Sequence, residues 1–407
     1  MKKAYERLIE YAAIYSPSDE NSPTCPSTPV QTEFGKILVK EMLELGISDA
    51  RIDEHGYVYG SIPANTDSSV SVGFIAHMDV VSDVPSNEPK LRIVKNYNGE
   101  DVVLNEEKNI VLSPSEFSSL KTYVGKDLLV TDGTTILGAD DKAGVAEILT
   151  MAEYLIAHPE IPHGRIGIAF TPDEEIGRGA DLFDVKGFGC DFAYTADGAS
   201  FGEINYETFN AYSAKVTVKG FGIHPGSAKD KMINSMDAAN EFHSILPAAM
   251  KPRYTEGYEG FIHLTSITGG VEETIMDYIV RDHDIEKVKK KLDIMRRAAD
   301  AVNENYGSEI VSIDFSESYL NMACEVEKHS HLIENAKKAI ETLGGTPVTT
   351  PIRGGTDGAR LSFMGLPCPN LGTGSHNHHG RFEYACCDDM ELASMALVEI
   401  AKIYANH

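Results

Sequence analysis

The chain has 407 residues, of which 42% are hydrophobic and 24% are charged. A single hydrophobic core stops growing at roughly 250 to 300 residues, so this length predicts two folded domains. The formal net charge of -26 argues against nucleic acid or membrane partners, because binding to phosphate or anionic lipid depends on Lys and Arg displacing counterions. The sequence also has no apolar run of about 18 residues that could span a bilayer.

The cysteine pattern and the N-terminal residues predict a cytoplasmic protein. Six cysteines include no Cys-x-x-Cys pair and lack the density of a disulfide scaffold, which favours a reducing compartment. The N-terminal segment begins Met1-Lys2-Lys3 and continues as an amphipathic stretch with Glu6 and Glu10. It lacks the uninterrupted apolar run of a signal peptide.

The first half of the chain alternates strands and helices. Residues 69–76, 164–170 and 192–195 are β-branched and apolar and predict strands, whereas residues 143–158 carry apolar side chains at helical spacing. This order predicts βαβ units with a largely parallel sheet.

The middle of the chain has a different order of predicted elements. These elements are strand 213–218, helix 235–246, strands 261–267 and 274–281, helix 285–305 and strand 310–315. The order β-α-β-β-α-β is typical of a ferredoxin-like module.

After residue 319 the chain returns to helix 331–343, a Gly-rich loop, an apolar strand near 366–371 and a final helix at 389–404. We therefore predict an α/β domain with a mostly parallel sheet, formed by residues 1–207 and 321–407. A ferredoxin-like α+β domain, residues 208–320, is inserted into it.

Five clusters of metal-binding residue types lie in the first and last segments. In chain order they are His77 with Asp79, Asp140 with Asp141, Glu174 with Glu175, Asp197, and the histidines His376, His378 and His379. Three of these clusters follow predicted strands, and open α/β sheets form their binding crevice at the carboxyl ends of strands. We expect the clusters to converge there.

If several carboxylates lay in one crevice, some of them would have to be protonated, because like charges a few ångströms apart disfavour ionisation. Two divalent cations remove this conflict. Imidazole and carboxylate without thiolate suit zinc, with cobalt or manganese as substitutes. Asp79, two residues after His77, is placed to accept the second ring N–H of that histidine and so to orient it.

The sequence resembles the co-catalytic zinc metallopeptidases, the family that includes carboxypeptidase G and aminoacylase, over almost its whole length. Several stretches resemble the tripeptide aminopeptidases within that family. They are DGTTILGADDKAG at 132–144, TEGYEGF at 255–261, IVRD at 279–282, IRGGTDG at 352–358 and NHHGR at 377–381.

The resemblance implies a set of ligands and a general base. One zinc ion is bound by His77, Asp140 and Asp197, and the other by Asp140, Glu175 and His379. Glu174 then acts as general base on an activated water. A cis peptide bond between Asp140 and Asp141 is also implied. His376 and His378 match no ligand position and are predicted to lie behind the ligands or to be exposed.

The inserted domain corresponds to the lid of the family and carries GIHPGSA at 222–228. The resemblance implies that His224 polarises the scissile carbonyl. Without the resemblance, Pro225 and Gly226 predict an ordinary turn.

Arg281 and Arg353 are candidates to bind the C-terminal carboxylate of a short peptide, because the guanidinium fork matches a carboxylate. The alternative for Arg281 is an ion pair with Asp282 or Asp284. Asn234 is a further candidate that could instead cap the following helix.

The implied function is release of the N-terminal residue from tripeptides by a zinc enzyme, with a homodimer as the expected assembly. A dipeptidase or N-acyl amino acid amidohydrolase of the same fold is the nearest alternative. A metal-binding relative without activity is another, although every implied catalytic residue is present.

Overall fold

The computed structural model describes residues 1–405. Its helices are α1 Ala4–Ala12, α2 Pro29–Leu45, α3 Ala139–Ala157, α4 Val185–Phe188, α5 Ser235–Ile245, α6 Ile285–Tyr306, α7 Ala323–Val326, α8 His331–Thr342, α9 Asp357–Phe363 and α10 Cys387–Tyr404. None of these helices has the length and apolar character that crossing a bilayer would require.

The strands of the first half are β1 Arg51–Ile52, β2 Val58–Ile62, β3 Ser71–His77, β4 Arg92–Val94, β5 Val102–Asn105, β6 Ile110–Leu112, β7 Leu128–Val130, β8 Arg165–Thr171 and β9 Phe192–Gly198. The second half contains β10 Glu203–Asn205, β11 Asn210–Lys219, β12 Phe261–Gly269, β13 Glu273–Asp282, β14 Val311–Tyr319, β15 Val348–Thr349, β16 Asn370–Gly372, β17 Ser375–His376 and β18 Tyr384–Cys386.

The chain divides into two compact units. The first unit comprises Met1–Tyr206, Cys324–Thr350 and Thr356–His407. The second comprises Glu207–Ala323 together with the short segment Pro351–Gly355.

An eight-stranded sheet forms the centre of the first unit, in the order β1-β2-β8-β3-β9-β16-β10-β15. Its central strands β8, β3, β9 and β16 are parallel. Towards one edge β2 pairs antiparallel with β8 and β1, and towards the other β10 pairs antiparallel with β16 and parallel with β15. β3 is buried on both faces, as expected for a parallel strand covered by helices. The predicted α/β class is thus confirmed, with a sheet that is parallel at its centre and mixed at its edges.

Helix α3 covers the central strands and packs against α1 and α10. Gly144 allows α3 to approach β9 closely, because a Cβ at this position would collide with the backbone carbonyl of Ala196 in β9. This contact brings the N-terminus of α3 close to the end of β9. Both carry predicted ligands.

The first unit also contains a small antiparallel sheet in the order β17-β18-β7-β4 and a separate hairpin of β5 and β6. Both pack around a second apolar cluster that includes Tyr97, Leu112 and Tyr384. We did not predict these short strands, because runs of two to four residues carry too little periodicity.

The second unit is a four-stranded antiparallel sheet in the order β12-β13-β11-β14. Helices α5 and α6 pack against it and enclose a core that includes Val216, Phe242 and Met295. The chain order and the sheet order are those of a ferredoxin-like fold. The second unit therefore has the predicted sequence of elements.

Candidate metal centre

Four predicted ligand segments meet at the carboxyl end of the parallel strands. β3 ends at His77, β8 is followed by the 3-10 turn Glu174–Ile176, and Asp197 is the second-to-last residue of β9. Asp140 stands at the start of α3. Since β8, β3 and β9 are neighbouring parallel strands, these side chains share one edge of the sheet.

The carboxylate of Asp140 lies between two imidazoles. Its Oδ1 is 3.0 Å from Nε2 of His77, and its Oδ2 is 3.0 Å from Nε2 of His379. Asp197 Oδ1 lies 3.5 Å from the same nitrogen of His77, and Glu175 Oε2 lies 2.9 Å from that of His379. Each imidazole thus faces Asp140 and one further carboxylate, which is the arrangement expected of two metal sites with one shared ligand.

Asp79 contacts both His77 and the turn that carries the two glutamates. Nδ1 of His77 is 3.0 Å from the backbone carbonyl of Asp79 and 3.4 Å from its Oδ1. The carboxylate of Asp79 accepts the backbone N–H groups of Glu174 and Glu175 at 3.0 and 3.1 Å. The backbone carbonyl is therefore the nearer partner of the imidazole, while the carboxylate positions the turn.

Asp140 and Asp141 interrupt the helical geometry at the start of α3, and the peptide bond between them is cis, as implied by the resemblance. The carboxylate of Asp141 accepts the backbone N–H of His77 at 3.1 Å and that of Gly144 at 3.2 Å. One of its oxygens also lies close enough to His77 and Asp197 to share a metal ion with them. Asp141 is a possible ligand that the sequence reasoning had not assigned.

Glu383 supports the loop before α3 and was not predicted from the sequence. It is 2% exposed and accepts the backbone N–H groups of Leu137, Gly138 and Asp140 at 2.8, 2.7 and 3.0 Å. A single Glu in a loop carries no signal of such a role, because its partners lie more than 240 residues away in the chain.

Two more buried acids lie beside the centre and were also not predicted. Asp173 precedes the glutamates with φ of 60° and accepts hydrogen bonds from Ser27 and Gln31, the latter at 2.7 Å. Asp357 accepts the hydroxyl of Thr171 at 2.6 Å, and burial raises its pKa to about 7. Asp173 could have been suspected from its place in the Pro-Asp-Glu-Glu motif, but Asp357 could not.

The pKa shifts show that the cluster is short of positive charge. Burial raises the pKa of Glu174 well above its usual value, and burial with the charge of Asp140 raises that of Glu175 to about 7. Hydrogen bonds to Asp140 and Glu175 raise the pKa of His379 to about 11. The groups thus hold protons where cations would otherwise balance the carboxylates. Among the described residues, Oε1 of Glu175 is also buried without a hydrogen-bond partner. The imidazoles and carboxylates of the cluster form a donor set that fits divalent metal ions.

The two remaining loop histidines are both partly or fully buried. Nε2 of His376 lies 2.5 Å from the hydroxyl of Tyr123, and burial lowers the pKa of this imidazole to about 4. His378 is 3.5 Å from Oδ2 of Asp140 through Nδ1, and its Nε2 is 2.8 Å from Oγ of Ser375. His378 therefore lies behind the shared carboxylate, whereas His376 belongs to an aromatic cluster.

In the second unit, His224 and Asn234 both lie at the starts of short helical elements. Nδ1 of His224 accepts the backbone N–H of Gly226 at 3.1 Å, so the neutral ring carries its proton on Nε2. The ring is exposed. Asn234 accepts the N–H of Met236 at 3.0 Å and caps α5, which is the alternative role considered for it.

Arg281 lies on β13 and has no ion pair with either neighbouring acid among the described residues. Asp282 instead pairs with Lys291 at 2.5 Å, and Asp284 caps α6. The guanidinium of Arg281 lies 5.7 Å from the ring of Tyr319, and its Nε is buried without a hydrogen-bond partner. The ion-pair alternative for Arg281 is therefore wrong.

Arg353 is held by the loop that precedes β12. Its NH1 donates to the carbonyls of Gly257 and Glu259 at 2.7 Å each, and its NH2 donates to Oγ1 of Thr255 at 2.9 Å. The guanidinium also lies over the ring of Phe209 at 5.3 Å. Most of its hydrogen-bonding capacity is used within the second unit.

Fold and site together define a metal-dependent hydrolase with an α/β core. The chain belongs to peptidase family M20/M25/M40, whose profile matches residues 131–403. The predicted family and the predicted enzyme class, a metallopeptidase, are confirmed.

Particular relatives are similar over the whole chain. Peptidase T of Alkaliphilus oremlandii is 50% identical over 409 residues, covering 100% of both chains. Among solved structures, aminopeptidase PepT from Bacillus cereus is 23% identical and covers 99% of this chain and 98% of its own, with a TM-score of 0.78. A tripeptidase from Staphylococcus aureus is 22% identical over 100% and 98% of the chains, with a TM-score of 0.77. The structures confirm the fold, and the sequence relative confirms that the predicted family resemblance extends over the whole chain.

Proposed function

We propose that this metallopeptidase releases the N-terminal residue of tripeptides at a dinuclear zinc centre in the cytoplasm. The observation that carries the proposal is the carboxylate of Asp140, which offers one oxygen to each of two imidazoles. The similarity to proteins named peptidase T and to a structure described as a tripeptidase supports this choice of substrate.

The proposed ligands fall into two groups that share Asp140. His77, Asp140 and Asp197 would bind one ion, and Asp140, Glu175 and His379 would bind the other. Three carboxylates offset most of the charge of two divalent cations. When bound, the ions would polarise the scissile carbonyl and lower the pKa of a water towards neutrality. Imidazole and carboxylate without thiolate favour zinc, with cobalt or manganese as substitutes.

Glu174 is the proposed general base. Its Oε2 is 3.9 Å from Nε2 of His77, and its backbone is held by the carboxylate of Asp79. Burial raises the pKa of Glu174, and cations in the cluster would lower it again by favouring the carboxylate. The carboxylate can then take a proton from the attacking water and deliver it to the leaving amine.

The substrate groups are proposed to be contacted by side chains of the second unit. His224 can donate its Nε2 proton to the scissile carbonyl oxygen, because its Nδ1 already accepts a hydrogen bond. Arg281 is the proposed partner of the C-terminal carboxylate, since its Nε has no hydrogen-bond partner among the described residues. Arg353 and Asn234, which use their polar atoms within the second unit, would shape the substrate site through the loop and helix they hold.

A homodimer is also proposed. In the second unit β12 is an edge strand of its sheet, and its outer half is exposed, including Ile267 at 51%. Such an edge can pair with a second copy. Light scattering of the purified protein tests this assembly, and a monomer at all concentrations would exclude it.

The function is tested by metal analysis combined with a panel of substrates. The panel contains Leu-Gly, Leu-Gly-Gly, Leu-Gly-Gly-Gly and acetyl-Leu-Gly-Gly. The purified protein should contain about two metal ions per chain and should cleave the free tripeptide with the highest kcat/KM. A preference for the acetylated peptide would favour the amidohydrolase alternative, and a preference for the dipeptide would favour a dipeptidase. Bound metal without turnover of any peptide would indicate the non-catalytic relative.

A further inference from the structure

A polar cleft of about 300 Å³ opens beside the candidate metal centre within the first unit. One side is formed by the loop after α1, which contains Ser18, Asp19 and Glu20. Another is formed by the loop after β3, which contains Asp83, and Glu175 lies where the cleft reaches the metal centre. The cleft thus shares a residue with the proposed reaction site but extends away from it.

The charge of the cleft has one sign. Asp19, Glu20, Asp83 and Glu175 line it, and no Lys or Arg is among its described lining residues. The nearby Arg178 donates its guanidinium hydrogens to the backbone carbonyls of Asp19 and Ser22, so it braces the loop instead of pairing with the carboxylates. A cleft lined by one sign of charge concentrates ligands of the opposite sign.

One polar atom of the cleft, Oγ of Ser18, is buried and has no hydrogen-bond partner among the described residues, and Ser18 itself is 2% exposed. Buried polar side chains in folded proteins nearly always have partners, so this hydroxyl marks a place where a ligand supplies the missing contact. A hydroxyl oxygen can accept a hydrogen bond from an ammonium group.

We propose that this cleft binds the N-terminal residue of the peptide substrate, with the α-ammonium group, and any cationic side chain, facing the carboxylates. The α-amino group of a peptide has a pKa near 8 and is largely protonated at neutral pH. The assignment rests on the proposed aminopeptidase function, to which it adds a preference for a cationic N-terminal side chain. Peptides that begin with Lys should be preferred over peptides that begin with Glu.

The test compares kcat/KM for Lys-Gly-Gly, Leu-Gly-Gly and Glu-Gly-Gly. The variant Glu20→Gln/Asp83→Asn removes two exposed carboxylates for which the structure shows no hydrogen bond, so its fold and metal content should be retained. Its ratio of kcat/KM for the Lys peptide over the Glu peptide should be about three- to ten-fold lower than that of the wild type. In the wild type the ratio should fall as salt is added, because exposed charges are screened.

The control variant Asp67→Asn/Glu107→Gln removes the same charge from exposed positions outside the cleft and should leave the ratio within about two-fold. Unchanged kcat/KM for all three peptides in Glu20→Gln/Asp83→Asn would overturn the assignment while the aminopeptidase function stands. An equal loss for all three peptides would support the α-ammonium contact and overturn the preference for a cationic side chain. If the wild-type enzyme cleaves none of the three peptides, the proposed function itself is wrong and the assignment falls with it.

Discussion

The charges of buried acidic groups are balanced in different ways in the two units of the chain. At the strand edge of the first unit, acids such as Glu174 and Asp197 lie among other carboxylates, and burial raises the pKa of each. In the second unit the side chain of Asp282 is more deeply buried, at 2% exposure, but it pairs with Lys291 at 2.5 Å. One region therefore needs charge from outside the protein, whereas the other is balanced by its own residues.

This difference separates a functional site from a structural one. A buried carboxylate paired with a buried ammonium is satisfied in the folded chain and has no need of a ligand. A group of buried carboxylates whose ion-pair partners are imidazoles is satisfied when cations bind. The following predictions test whether the two regions differ in this way.

Metal removal should have the largest effect and should act on the first unit alone. Chelation should abolish peptide cleavage, and added zinc should restore it, because the imidazole and carboxylate groups can then bind cations again. Hydrogen exchange should increase in β3 and at the start of α3 but not in β11 or β13 of the second unit. Equal loss of protection in both units would show that the metal stabilises the chain as a whole.

Replacing the proposed general base should nearly abolish turnover without releasing metal. Glu174→Gln is expected to lower kcat by about 10²- to 10⁴-fold, since it removes the proton acceptor and retains the shape of the side chain. Steady-state kinetics and metal analysis on the same sample test this. Loss of both ions together with activity would assign Glu174 to metal binding instead.

Neutralising one buried acid in each unit should change the stability of the metal-free protein by very different amounts. Asp282→Asn leaves Lys291 buried without its partner and should cost about 3 kcal/mol or more of unfolding free energy. Glu174→Gln should change stability by less than about 1 kcal/mol, because burial already favours the protonated acid there. Urea denaturation of both variants measures the difference. Similar losses would contradict the comparison.

Arg281 should contribute to substrate binding only when the peptide has a negatively charged C-terminal carboxylate. Arg281→Lys is expected to raise KM for a free tripeptide by about ten-fold, because the bidentate fork is lost. KM for the corresponding tripeptide amide should change little. A matched variant, Arg296→Lys, alters a guanidinium that lies over Phe315 instead and should leave both values unchanged. An equal rise for acid and amide would indicate a structural role for Arg281.

The smallest expected effect is a change in stability on replacing Glu147, a buried acid of the first unit that has no part in the proposed reaction. Burial and the nearby Glu391 raise its pKa above the usual value of 4.5, and its Oε1 has no hydrogen-bond partner in the part of the chain that the structure describes. Its protonated form stabilises the fold fully below pH 4.5, and this contribution is lost as pH rises through the higher pKa of the folded protein. Glu147→Gln should therefore gain stability relative to the wild type as pH increases. Thermal unfolding from pH 4 to 8 checks this trend.

Several features of the fold follow directly from the residue pattern. The strands near 69–76 and 164–170 and the helix near 143–158 were predicted close to their observed bounds, because long apolar runs and helical periodicity are local signals. The same holds for the order of elements in the second unit. The short strands β4 to β7 and β15 to β18 were not predicted, apart from a segment near β16, since their pairing depends on distant partners.

The sequence by itself determined which residue types could bind metal and on which strand ends they stand, because motif and strand are both local. Only the tertiary structure decided that Asp140 lies between His77 and His379, that Glu383 holds the loop before α3, and that Asp282 is neutralised by Lys291. These contacts arise when distant or separately oriented segments pack together. Burial then sets which charges are balanced within the chain and which need a ligand.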